Sequence, residues 1–209
     1  MSRSSLFVLR RTALIGGAAL ALGHLSGCVG LALTGAAVGT MAAIDRRTLG
    51  AQTEDQSIEL KAAGRLRDAL GSASGISVIS YNRKVLIVGF VASENVKRQA
   101  EEAVRRVENV QTVHNELQIG MRPSLSTAAS DAALTARVKA AHVDAKDIQA
   151  NAFKVVSESG VVYLMGVVTQ REGDRAAQVA SRVSGVQRVV TVFEYVSEDE
   201  LARIERRTR

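Results

Sequence analysis

Tryptophan is absent from the 209 residues, proline occurs once, at Pro123, and cysteine once, at Cys28. One cysteine excludes an intrachain disulfide. Stability must therefore come from apolar cores, and these are aliphatic, because aromatic residues make up only 3% of the chain. The missing tryptophan also removes the strongest interfacial membrane anchor. Histidine is scarce: His24, His114 and His142. A metal site needs several clustered ligands, and no short His/Asp/Glu/Cys spacing surrounds His114 or His142. No G-x-x-x-x-G-K-S/T phosphate loop is present. The groups Glu101-Glu102 and Glu198-Asp199-Glu200 read as solvated charge, not as an acid–base pair. The expectation is a non-enzyme without metal or cofactor.

What the chain does have begins at its start. Arg3, Arg10 and Arg11 precede an uncharged apolar run that ends in Leu25-Ser26-Gly27-Cys28. A positive start, an apolar middle and small residues at the cut form a bacterial secretory signal. The cysteine after Leu-Ser-Gly resembles the lipobox of bacterial lipoproteins, which implies an acylated Cys28 (palmitate among its lipids) as the first mature residue. The bland alternative is a small buried hydrophobe. Arg10-Arg11 also weakly resembles a twin-arginine signal, so the export route stays open. By the family's sorting rules, Val29 in place of Asp implies the outer membrane, facing the periplasm.

Losing residues 1–27 removes three arginines and no acid, so the net charge falls from +6 to +3. That balance does not argue for nucleic acid; it allows weak attraction to an anionic membrane. A second uncharged stretch, Val29 to Ile44, carries Gly30, Gly35 and Gly39 among alanines. Its 16 residues are short for a bilayer core of about 30 Å, so it reads as a tether, with a retained membrane span as the alternative.

Beyond residue 50 the chain repeats itself. Val85-Leu86-Ile87-Val88-Gly89 matches Val162-Tyr163-Leu164-Met165-Gly166, and Ala100 and Ala103 match Ala177 and Ala180, all at an offset of 77. Arg106-Val107-Glu108-Asn109-Val110 matches Arg182-Val183-Ser184-Gly185-Val186 at 76. Each copy reads helix, strand, strand, helix, strand. In the first, helices are expected over 57–70 and 93–107, with strands over 76–81, 85–91 and 110–119. In the second, Leu134, Val138 and Ala141 mark the first helix, 153–157 and 161–168 the hairpin, 171–183 the second helix and 186–196 the last strand. Two helices should pack on one face of each three-stranded sheet. Gly89 and Gly166 suit a tight bend or close packing. The copies can be hinged or docked.

The αββαβ order, the apolar strand ending in Gly89 or Gly166, the acidic helix start that follows and the closing V-x-x-V strand resemble the BON domain. Two copies behind a lipobox resemble the dual-BON outer-membrane lipoproteins. The expected fold is α+β: two tandem αββαβ BON domains. The layout is a signal peptide (1–27), a lipidated Gly/Ala-rich tether (28–54), a first domain (55–120), a linker (121–129), a second domain (130–197) and a charged tail (198–209).

The resemblance implies association with an anionic phospholipid membrane, through the second domain around its first helix. It also implies support of outer-membrane integrity, enrichment at the division site and an effect on the outer-membrane protein assembly machinery. The candidate contacts on this chain are Arg137, Lys139 and Lys146 for the headgroups, with Leu134, Val138 and Val143 for shallow insertion. Leu134 and Val138 are four apart, which fits a core-facing pair equally well. The Arg-rich end (Arg203, Arg206, Arg207, Arg209) is a second candidate surface, or a frayed helix. The competing reading is a periplasmic protein-interaction adaptor that docks a partner on an exposed sheet face or edge strand, with Tyr81 and Tyr163 near the contact. Oligomeric state and lipid selectivity are not readable here.

Overall fold

Thr48 starts the first helix: its hydroxyl accepts the Ala51 N–H at 3.1 Å, and Gly71, at φ 68°, closes it in the left-handed conformation. The computed structural model describes residues 45–71 and 75–208. Helix α1 (Leu49–Leu70) is followed by β1 (Ile76–Tyr81), β2 (Lys84–Val91), α2 (Glu94–Arg105) and β3 (Thr112–Ile119). Then come α3 (Leu125–Asp144), a single 3-10 turn at Ala150–Ala152, β4 (Lys154–Glu158), β5 (Val161–Val168), α4 (Gln170–Ser181), β6 (Arg188–Tyr195) and α5 (Glu198–Thr208). The signal peptide, Cys28 and the tether up to residue 44 lie outside the described residues.

Each copy builds one sheet with its second strand in the middle, in the orders β1-β2-β3 and β4-β5-β6. The hairpin strands are antiparallel and the returning strand is parallel to the middle one. Helices α1 and α2 cover one face of the first sheet, where Ile58, Leu66, Ala100 and Val104 meet Val85 and Ile87. Helices α3 and α4 do the same in the second, where Leu134, Val138, Ala176 and Ala180 meet Val162 and Leu164. The glycines ending the apolar pentads are set by close approach. A Cβ on Gly89 would lie 2.0 Å from the Gly75 carbonyl oxygen, and one on Gly166 2.5 Å from that of Ala152.

The other faces of the two sheets pack on each other. Ile79, Tyr81, Leu86 and Val88 from the first meet Val161, Tyr163, Met165, Val167 and Val192 from the second. The copies are therefore docked, and this explains why β2 and β5 are apolar almost without interruption: successive side chains point to opposite faces, and both faces are buried. Polar contacts rim this core. The Lys84 ammonium donates to the Phe193 carbonyl at 3.2 Å, Asn82 to Glu194 at 2.9 Å, and Lys154 to Glu59 at 3.1 Å. The sheet-face route of the adaptor reading is corrected here: the sheet faces are closed, and Tyr81 and Tyr163 are 4% and 0% exposed.

Three differences in extent have local causes. Residues 49–54, expected in the tether, are the first turns of α1, because Thr48 caps it earlier than the apolar pattern begins. Residues 125–129, expected in the linker, open α3, because the Ser124 hydroxyl accepts the Thr127 N–H. The charged tail is helix α5, held by buried Leu201 and by Ile204 against the core between the sheets.

The docked faces predict cooperative unfolding. Leu86→Asp places an unpaired carboxylate between the sheets and is expected to cost about 3 kcal/mol or more. Urea unfolding followed by circular dichroism should change from one transition to two. A single unshifted transition would contradict the docking.

Candidate functional site

An offset of 76, one less than that of the apolar pentads, relates the first helices of the two copies residue by residue. In α1 the buried positions are Asp55, Ile58, Ala62 and Leu66; in α3 they are Asp131, Leu134, Val138 and His142. Leu134 and Val138 thus stand where Ile58 and Ala62 stand and are 3% and 0% exposed. This corrects their placement among the lipid contacts: they fill the second domain's core. Arg137, Lys139 and Val143, all on α3, and Lys146 just beyond it are exposed. Residues two apart on a helix do not share a face, so Arg137 and Lys139 lie on opposite flanks. Between them runs an outward surface of Ala129, Ala132, Ala136 and Ala140, all exposed, which Val143 continues at 67% exposure. Among the described residues, Arg137, Lys139 and Lys146 form no ion pair. The structure thus brings together a flat, small apolar strip bordered by unneutralised cations.

The two buried aspartates are structural. Asp131 accepts the N–H groups of Ser159 and Gly160 at 2.8 and 3.0 Å, holding the β4–β5 turn. Asp55 does the same for Asn82 and Arg83 at 2.7 and 2.8 Å, and also accepts the Ser80 hydroxyl. Burial raises the Asp55 pKa, but these hydrogen bonds and the Arg47 guanidinium outweigh it and hold the carboxyl below the usual range. The Asp55 carboxylate therefore stays ionised and fully engaged, which suits a turn clasp.

The residues that sequence reasoning missed lie directly after the tether. Arg46 is 5% exposed. Its guanidinium donates to both oxygens of Glu172 at 2.8 and 2.9 Å, to the Val167 carbonyl at 3.0 Å, and to Gln149 and Glu205 at 3.1 Å. Glu172 is simultaneously half of a capping box with Thr169 at the start of α4. Burial pushes the Glu172 carboxyl up, and Arg46 with the Thr169 N–H brings it below its ordinary value. Arg47 turns to the first domain: it pairs with Asp55 at 2.7 Å and sits 3.9 Å above the Tyr81 ring. One signal was available, the Thr169-x-x-Glu172 capping box, but nothing local joins it to an arginine 126 positions earlier.

Two solvent-facing cavities flank α3. One of about 460 Å3 is lined by Ile76, Ser77, Arg122, Thr135 and Ser157, and one of about 380 Å3 by Thr127, Asp131, Arg137, Gly185 and Gln187. Hydroxyls and the carboxylates of Asp131 and Glu158 line them, but among the described residues the Thr135 hydroxyl bonds Ser157 and that of Ser130 bonds a backbone carbonyl, and no lining hydroxyl bonds a carboxylate. Among the described residues, no three His, Cys, Asp or Glu side chains are grouped to hold a metal ion, and no helix is long and apolar enough to cross a membrane.

Residues 54–121 and 130–197 each match the BON domain. The chain is 37% identical over 190 residues to the Haemophilus influenzae protein called outer membrane lipoprotein DolP, covering 90% of this chain and 97% of that one. It is 31% identical over 155 residues to the 21 kDa hemolysin of Actinobacillus pleuropneumoniae, covering 73% and 80%. The osmotically-inducible protein Y of Escherichia coli is 31% identical over 140 residues, covering 65% and 70%. The chain belongs to the BON-domain family and carries two copies of the domain.

Two predictions concern this region. Arg46→Met keeps the volume but leaves Glu172 buried without its cation, at an expected cost of about 3–5 kcal/mol; the urea midpoint of a 44–209 fragment measures it, and an unchanged midpoint would remove the clasp's importance. His142, 1% exposed, uses Nε2 to donate to the Ala176 carbonyl at 3.1 Å. Burial holds its pKa below the ordinary value. The unfolded chain then binds the proton more readily, so stability is full above about pH 6.5 and is lost as pH falls through the lower folded value. His142→Leu, the residue of the first copy, should flatten the drop in melting temperature between about pH 7.5 and about pH 5.5. His114, shifted down by burial and by Lys84, leaves a residual slope.

Proposed function

We propose that this BON-domain chain is a non-enzymatic lipoprotein of the outer membrane, anchored through Cys28 and facing the periplasm. In this reading it binds anionic phospholipid through the outer face of α3 in the second domain and so supports envelope integrity. The observation that carries the proposal is that face: an exposed Ala/Val strip bordered by Arg137 and Lys139, with Lys146 beyond its end. Each cation near an anionic surface contributes roughly 1 kcal/mol, and alanines let the helix lie close to the headgroups without a bulky wedge. Val143, and Leu125 at the start of α3, are the larger exposed apolar side chains placed for shallow insertion.

Such a contact is weak alone. It becomes effective when acylated Cys28 turns the second binding event into an intramolecular one. The name of the H. influenzae relative, which covers nearly the whole chain, supports the compartment and the anchor. Cys28 after Leu25-Ser26-Gly27 supports the same point from the residues. Enrichment at the division site and an effect on outer-membrane protein assembly extend the proposal on the strength of the family resemblance.

Flotation of the 44–209 fragment with vesicles tests it, because residues 44–209 form one compact unit with its own apolar cores. At low salt the fragment should float with phosphatidylcholine vesicles only when phosphatidylglycerol is included. Arg137→Glu with Lys139→Glu, both at exposed positions, should weaken that binding by about tenfold or more. Equal recovery with and without the anionic lipid would sink the proposal.

A further inference from the structure

Helix α5 carries two opposite charges at its two ends. Glu198, Asp199 and Glu200 occupy its first turn, while Arg203, Arg206 and Arg207 fall in its last two. Leu201 is buried, Ile204 packs on the core between the sheets, and Glu205 reaches Arg46. Those three positions, spaced i, i+3 and i+4, define the inward face. Arg203, Arg206 and Arg207 are accordingly exposed, and among the described residues none of them forms an ion pair. Cations in a final turn do offset the helix dipole, but that requires no particular direction. Here all three point away from the protein.

A second, independent observation fixes where this basic end sits. One nitrogen of Arg46, Nη2, lies 3.1 Å from the Glu205 carboxylate and 3.1 Å from the Gln149 side-chain oxygen. The final turns of α5 and the segment after α3, which carries Lys146, therefore converge on one residue. That residue stands at the point where the chain coming from Cys28 joins the fold. Asp45 is 17 residues beyond Cys28, a length that spans no more than about 60 Å. The anchor thus joins at the end of the molecule where the unpaired cations of α5 are displayed.

We propose that α5 is a second lipid-contact surface, in which Arg203, Arg206 and Arg207 bind the phosphates of the anionic bilayer that carries the anchor, with the Arg46–Glu205 pair holding the helix beside the anchor's junction. Guanidinium groups suit this role because each presents several donors to phosphate oxygens. The inference rests on the reading of this chain as a binder of anionic phospholipid and adds a contact outside the two BON domains. It makes the clasp functional: Arg46 orders both the segment after α3 and the end of α5 around the point of attachment.

The test uses the 44–209 fragment and vesicles of phosphatidylcholine alone or mixed with phosphatidylglycerol. Three proteins are compared: the parent, the Arg203→Gln/Arg206→Gln/Arg207→Gln variant, and the Arg137→Gln/Lys139→Gln variant, each with a thermal melt as a folding control. The α5 variant should melt like the parent, bind anionic vesicles about tenfold more weakly, and lose part of its salt dependence. Parent-like binding by the α5 variant, with loss in the α3 variant, would overturn this inference and leave the α3 reading standing. The reverse pattern would keep the α5 surface and remove the α3 one. A parent that does not distinguish the two vesicle types would overturn both.

Discussion

A three-stranded sheet covered by two helices has one face left over, and in this protein that face decides the architecture. Neither BON domain can leave Leu86 and Val88, or Tyr163 and Met165, in water. Each domain solves the problem with the other. The two uncovered faces form a single apolar layer, so the chain has a helix–sheet–sheet–helix arrangement with three cores instead of two. The buried Tyr163 phenol, its pKa pushed up to about 12 by burial, lies in this layer. Docking also rigidifies the pair: a hinge between the domains would expose the whole layer at once.

That arrangement dictates which surfaces remain for function. With the sheets closed, the outward faces of the helices and the ends of the molecule are what the protein shows to a partner. The outer face of α3 is chemically distinctive because it is small and apolar along its middle and cationic at its flanks. By contrast, the cations at the end of α2 are paired, Arg105 with Glu101 and Arg106, just after the helix, with Glu102 at 2.6 Å. Such pairs neutralise one another and leave little for an anionic surface. The end of α2 thus differs from α3 in that its cations already have partners.

The Asp45-Arg46-Arg47 segment ties these surfaces to the proposed anchor. Burying a guanidinium is costly unless its donors are met, and the two terminal nitrogens of Arg46, though not its Nε, meet acceptors from β5, from the segment after α3, from α4 and from α5. Arg47 does the same for the first domain through Asp55 and the Tyr81 ring. A chain leading from a lipid would otherwise meet a freely turning body. Residues 45–47 are part of both domains, so the faces near them keep a fixed position relative to this segment.

Much of this was legible in the residues. The internal repeat identified two αββαβ units, because apolar pentads, glycines and helix starts recur at fixed separation. An offset of 76, carried back to α1, aligns Leu134 and Val138 with Ile58 and Ala62, whose burial only the structure showed; helix periodicity alone could not separate core from surface there. The unbroken apolar runs of β2 and β5 held the sign that both faces are buried, although not against what. Cys28 and the signal layout depend on local order alone and needed no fold. What only the tertiary structure decided are the contacts between distant residues: the layer between the sheets, the socket for Arg46 and the docking of α5. The physical reason is common to all three. A buried ion pair spanning 126 residues, or two apolar faces that cover each other, leaves no periodicity in the chain; its energy exists only when the pieces meet.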